Sequence, residues 1–154
     1  MENLDSTDRD ILEILQRDGK ITMAAMAKKL GLTTTPVFER IKKMEQSGII
    51  KKYVALLDQK KVDKNLIVFI SISLKNHARS YLSKFTDAVN NYPEITECYH
   101  IAGNFDFLLK AQIKDMEAYQ QFILSKLSVD DNIGQVQSAF VLSKNKYSTA
   151  ISIR

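Results

Sequence analysis

The chain has 154 residues, 45% hydrophobic and 26% charged, with a formal net charge of +4. That length holds one ordinary domain or two small ones, and the balance is that of a globular protein rather than a disordered chain. No apolar run is long enough to span a bilayer, the acidic start Met1-Glu2-Asn3-Leu4-Asp5 has no signal-peptide pattern, and the lone Cys98 excludes an intrachain disulfide, so a cytoplasmic protein with no membrane partner is expected.

Residues 1–56 read as helices followed by one strand. A first helix starts near Asp5, which offers an acceptor to free backbone amides, and Asp8 adds negative charge in its first turn. Ile11, Leu12 and Leu15 mark its inner side, and Asp18-Gly19 ends it. A second helix follows Thr22 as N-cap, with Ile21 and Met26 spaced for a hydrophobic staple and Gly31 as its left-handed stop. A third runs from about Thr34 to Ser47, with Val37, Ile41 and Met44 inward and Gly48 at its end. Thr33 or Thr35 caps it; Pro36 is tolerated in a first turn.

The second helix, the turn Gly31-Leu32-Thr33 and the third helix make a helix-turn-helix. Ala27 is small where the helices cross, and Leu32 and Val37 fill the angle between them. A three-helix bundle without a ligand would share this apolar spacing. The charge pattern favours a helix-turn-helix that binds a ligand: residues 40–52 carry Arg40, Lys42, Lys43, Lys51 and Lys52 against Glu45 alone. In this motif the third helix lies in the major groove of double-stranded DNA. Thr33, Thr34, Thr35, Phe38, Glu39 and Lys42 are therefore candidate DNA contacts, most of them toward base edges. Arg40, Lys43 and Lys51 are cast as phosphate clamps, which set affinity and orientation rather than sequence. Residues 49–56 then read as a strand that either wings this domain or pairs with the next.

Residues 57–65 are polar and charged and read as a linker. Residues 66–154 form the second domain. Leu66 to Leu74 is a strand; Ala78 to Asn91 is a helix with Leu82, Phe85 and Val89 inward. Ile95 to Ile101 is a strand with Ile95, Tyr99 and Ile101 on one side. Gly103-Asn104 turns the chain into a partner strand, where Phe105, Phe107, Leu109, Ala111 and Ile113 share a face. Met116 to Leu127 is a helix with Met116, Tyr119, Ile123 and Leu127 inward; Val136 to Leu142 is the last strand, and residues 150–153 add a short edge. The order βαββαβ is the ferredoxin-like pattern, and the whole chain is an α+β protein. Two helices cover one sheet face; Ile67, Phe69, Leu108 and Val141 on the other predict a second subunit there, hence a homodimer.

No catalytic set assembles in this sequence. His77, His100 and Cys98 lack the spacing of metal ligands, no phosphate-binding glycine loop appears, and neither metal nor cofactor is expected. A ferredoxin-like enzyme is disfavoured for want of convergent acids and bases. Asp106 after Ala102-Gly103-Asn104 is different: a glycine allows close approach to backbone amides, and a carboxylate holds an ammonium group, so a small zwitterion suits the pair. A hairpin whose aspartate caps backbone amides fits equally.

The runs Leu4-Asp5-x-x-Asp8-x-x-Ile11-Leu12, Leu30-Gly31-Leu32-Thr33, Pro36-Val37-x-x-Arg40-Ile41 and Gly48-Ile49-Ile50-x-x-Tyr53 resemble the leucine-responsive regulator/AsnC, or feast/famine, family. Gly103-Asn104-Phe105-Asp106 resembles the Gly-x-x-Asp turn of that family's ligand-binding domain. The resemblance spans both domains in order. It implies a winged helix-turn-helix regulator and dimers joined through the C-terminal sheets, assembling to octamers. It also implies a free amino acid as effector, bound between dimers. Carried over residue by residue, Gly103, Asn104 and Asp106 become effector-site candidates, and Ser138 joins them where the family often has threonine. Thr33 replaces the usual serine and preserves capping. The alternative is an architectural DNA-compacting protein without an effector.

Overall fold

The computed structural model describes residues 4–153. The chain divides into two compact units, one of residues 1–56 with 145–154 and the other of residues 57–144.

In the first unit three helices enclose a small core. α1 (Ser6–Arg17) is capped by Asp5, which accepts from the Asp8 N–H while the Asp8 side chain accepts from the Asp5 N–H. This reciprocal box satisfies two amides that the helix itself leaves unpaired. α2 (Met23–Leu30) follows Thr22, whose hydroxyl accepts from the Ala25 N–H. α3 (Thr34–Gln46) buries Val37, Ile41 and Met44 against Ile11, Leu12, Met26 and Ala27. Leu32, expected in the interhelical angle, is 39% exposed; Val37 alone of that pair is buried. Thr33 occupies the N-cap position of α3, but its hydroxyl makes no cap hydrogen bond.

Gly31 ends α2 at φ +66°, and a Cβ there would meet no atom within 4 Å. Space is therefore not the constraint; the left-handed backbone is. Gly31→Val is expected to lower stability by ~1–2 kcal/mol, read as a lower unfolding midpoint in denaturant, with no change in oligomer size.

Two expectations for this unit are corrected. Residues 49–56, expected as a strand, belong to none, because no neighbouring strand pairs with them among the described residues. Val54 and Leu56 stand 64% and 61% exposed. Residues 150–153 form no edge strand. Ile151 instead exchanges two hydrogen bonds with the Gln16 side chain on α1, donating at 2.7 Å and accepting at 3.1 Å. Ile153 packs on the helical core. A side-chain amide has both a donor and an acceptor, so it replaces the strand partner that the sheet does not supply.

The second unit opens with a short 3-10 turn, Gln59–Val62, inside the segment expected to be linker. Four antiparallel strands follow: β1 (Leu66–Leu74), β2 (Ile95–His100), β3 (Phe107–Ile113) and β4 (Ile133–Phe140), in the order β2-β3-β1-β4. With α4 (Arg79–Asn90) and α5 (Met116–Phe122) between them, this is the ferredoxin-like βαββαβ arrangement. Alternation sets the core: Val68, Ile70, Ile72 and Leu74 of β1 and Phe107, Leu109, Ala111 and Ile113 of β3 are buried under Phe85, Val89, Phe122 and Leu127. Phe69 and Tyr99, on the opposite face, are 37% and 50% exposed.

Three details differ from the alternation expected. The β2–β3 register shifts between Ile95 and Glu97, so Ile95 and Cys98 both pack on the core while Tyr99 faces away. Phe105 lies in the loop before β3 rather than in the strand. Met116 is 56% exposed: it is the first residue of α5, after the cap Asp115, and Phe122 takes the core position instead. The helix continues as a π turn over Ile123–Leu127, which rotates Leu127 into the core.

Candidate nucleic-acid interface and effector loop

On the outer side of α3, Thr34, Thr35, Phe38, Glu39, Lys42 and Lys43 are all exposed. Thr33 precedes them and Lys51 follows, both exposed as well. At 3.6 residues per turn, positions 34, 35, 38, 39 and 42 occupy one strip of the helix. Lys42, Lys43 and Lys51 make no ion pair among the described residues, so three cations stay available to an anionic partner. Lys28 and Lys29, in the last turn of α2, are exposed too.

Arg40 behaves differently from its neighbours. Its Nη1 donates to Asp5 Oδ2 at 2.6 Å and to Asp8 Oδ1 at 2.7 Å, and its side chain is 36% exposed. The guanidinium ties α3 to the capping box of α1, rather than standing free as the phosphate clamp expected. The Asp8 and Asp5 carboxylates raise its pKa further. The Asp8 N–H and then Arg40 hold the Asp5 carboxyl below its usual value. Sequence spacing marked Arg40 as basic but gave no sign that two acids on another helix would claim it.

The second candidate site is the loop between β2 and β3. Gly103 has φ +144°, a backbone conformation that favours glycine. The Asn104 carbonyl accepts from Ser73 Oγ at 3.2 Å. Asp106 turns toward the end of β1, where its Oδ2 accepts from the Leu74 N–H at 2.7 Å. His77 Nε2 lies 2.9 Å from Asp106 Oδ1 and 3.0 Å from Oδ2. The Leu74 N–H is the main influence holding the Asp106 carboxyl below its ordinary value; partial burial opposes it, and His77 and His100 add to the lowering. The carboxylate is 20% exposed, so one side of it still faces solvent. Nearby, Asn76 and Asn132 exchange hydrogen bonds, which ties the loop after β1 to the start of β4.

Ser138 is not gathered into this loop. It pairs with Ile70 across the sheet, and its hydroxyl meets the Tyr119 hydroxyl of α5. Within one protomer the loop residues 103, 104 and 106 form one group, and Ser138 lies apart from it. The His77–Asp106 pair went unforeseen because 29 residues separate the two positions; only the β1–β3 pairing brings them together.

Burial pushes the Cys98 thiol up, which leaves less thiolate. Among the described residues no group of three or more His, Cys, Asp or Glu is placed to hold a metal ion. Among the same residues, no helix is long and apolar enough to cross a membrane.

A helix-turn-helix with an exposed recognition face, followed by a ferredoxin-like domain, defines a DNA-binding regulator with a ligand-binding domain. Residues 4–51 match the family model for winged helix-turn-helix DNA-binding, and residues 67–151 match that for the Lrp/AsnC ligand binding domain. The chain belongs to the Lrp/AsnC family, whose members are transcriptional regulators. It is 35% identical to the leucine-responsive regulatory protein of Escherichia coli K12, over 99% of this chain and 93% of that protein. A transcriptional regulator from Neisseria meningitidis, solved as its L-Met complex, superposes with a TM-score of 0.94 at 33% identity, covering 98% of this chain and 97% of that one. An AsnC family regulator from Agrobacterium tumefaciens superposes at 0.93 with 40% identity, covering 97% of both chains.

Proposed function

We propose that this chain is a cytoplasmic transcriptional regulator whose assembly or DNA affinity is set by a free amino acid. The observation that carries the DNA half is the strip Thr34, Thr35, Phe38, Glu39 and Lys42, exposed on α3 beside the unpaired Lys43 and Lys51. Thr33 and the strip face the bases, and the free lysines take phosphates. Arg40 contributes by fixing α3 on α1.

The sensing half rests on the loop of Gly103, Asn104 and Asp106, and on the Neisseria relative that binds L-Met. An α-ammonium finds a carboxylate in Asp106. Ser138 enters the site from another subunit, since its own protomer keeps it away from the loop. Phe69 and Tyr99 on the uncovered sheet face support a homodimer through that face. Dimers assemble further, to an octamer, and the effector acts by binding the two assembly states with unequal affinity.

Fluorescence anisotropy on the DNA upstream of the protein's own coding sequence and on a scrambled duplex tests this, at two salt concentrations and with or without pooled amino acids. Tighter binding to the upstream duplex, altered by the pool, is expected. Equal and strongly salt-dependent binding to both, untouched by the pool, marks an architectural DNA-compacting protein instead.

A further inference from the structure

α3 displays an aromatic ring that the fold does not use. Phe38 is 54% exposed, next to the fully buried Val37. Single exposed apolar side chains are ordinary on protein surfaces; the surroundings of this one are not. Thr34 and Thr35 lie one turn before it on the same strip, each adding a methyl group, and Lys42 lies one turn after it. None of these four side chains has a hydrogen bond or ion pair among the described residues.

The chemistry of the strip selects its partner. Lys42, Lys43 and Lys51 attract a polyanion. The apolar centre between them needs an apolar group carried by that polyanion. Glu39, also on the strip, is repelled by phosphates, so the strip lies over base edges rather than over the backbone. In the major groove the thymine C5-methyl is the apolar group a base pair presents. We propose that Phe38, flanked by the methyl groups of Thr34 and Thr35, reads thymine methyls, and that this contact makes the protein select thymine over other pyrimidines at its binding site. The proposal deepens the DNA-binding reading above and rests on it.

Deleting the methyl from the DNA tests it directly. Duplexes are selected by the full chain from a random pool. Each recovered sequence is then synthesised twice, with thymidine or with deoxyuridine. The thymine duplex is expected to bind more tightly by about fourfold for each methyl buried. In Phe38→Ala that gap should shrink to near unity, and in Phe38→Leu part of it should remain. Because the ring is exposed, the variants should melt with the unaltered chain. Equal affinity of the unaltered protein for the two duplexes overturns the proposal, as does an undiminished gap in Phe38→Ala. Failure to recover any bound duplex overturns the DNA-binding reading beneath it, and the thymine contact with it.

Discussion

Replacing Lys42, Lys43 and Lys51 together by alanine is expected to weaken binding to duplex DNA on the order of a hundredfold per bound protomer at about 0.15 M salt. The estimate follows from counterion release: each lysine that neutralises a phosphate displaces about 0.9 condensed cation, which at this salt is worth roughly a factor of five. Three such contacts multiply to about a hundredfold. The same arithmetic predicts that the slope of log affinity against log salt becomes shallower by about three per protomer. All three side chains are exposed and have no ion-pair partner among the described residues, so thermal unfolding should not change. Anisotropy titrations across a salt series check the prediction. An unchanged slope would place the phosphate contacts elsewhere, with Lys28 and Lys29 of α2 as the next exposed cations. Arg40→Ala offers a contrast: loss of its bonds to Asp5 and Asp8 loosens α3 from α1, so its effect should appear in unfolding rather than in the salt slope alone.

The helical half was legible because its signals are local. Asp5 with Asp8, Thr22 with Ala25 and Gly31 at positive φ act over four residues or fewer, and the apolar spacing of α3 needs only its own turn length. The sheet was legible wherever alternation runs unbroken, as in β1 and β3. It failed where a register shift interrupts β2, since one extra residue moves Cys98 to the core side and Tyr99 to the other. The start of α5 failed for a related reason. Met116 fits the apolar period but, as the first residue of the helix, is 56% exposed, while Phe122, off the expected stripe, is buried.

What sequence could not carry was pairing at a distance. Residues 145–154 were expected with the second domain because they follow it in the chain. They belong instead to the first unit, held there by Gln16 and by Ile153 on the helical core. Nothing in a polar tail ending Ala150-Ile151-Ser152-Ile153 announces a glutamine 135 residues away. The same limit applied to the sites. The position of Asp106 in its loop could be read, but not that the Leu74 N–H and His77 would meet it. The aspartate does hold backbone, and part of its carboxylate is exposed to solvent.

That double duty shapes the expected behaviour of Asp106 variants. Asp106→Asn keeps an oxygen to accept from the Leu74 N–H but removes the charge. It should therefore still fold, with a small loss of stability at neutral pH because the charge is gone, bind DNA with similar affinity and lose roughly thirtyfold in effector affinity, or about 2 kcal/mol for a partly exposed charge pair. Asp106→Ala should lose the response equally and also cost stability of about 1 kcal/mol, because the Leu74 amide is left without its acceptor. His77 sits against both carboxylate oxygens, so in the proposed site an ammonium group would have to displace the imidazole. The carboxyl is held below the ordinary aspartate value of 3.8. Its contribution to stability is therefore fully present above that pH and is lost as pH falls through the lower folded value. Asp106→Asn has no such group to protonate, so the stability gap between it and the unaltered chain should close as pH drops below 3.8. Calorimetric titration against an amino-acid panel, paired with acid unfolding curves, separates the two roles. An Asp106→Asn protein that still binds its amino acid at full affinity would leave this carboxylate a brace for the end of β1 and move the effector site away from the loop.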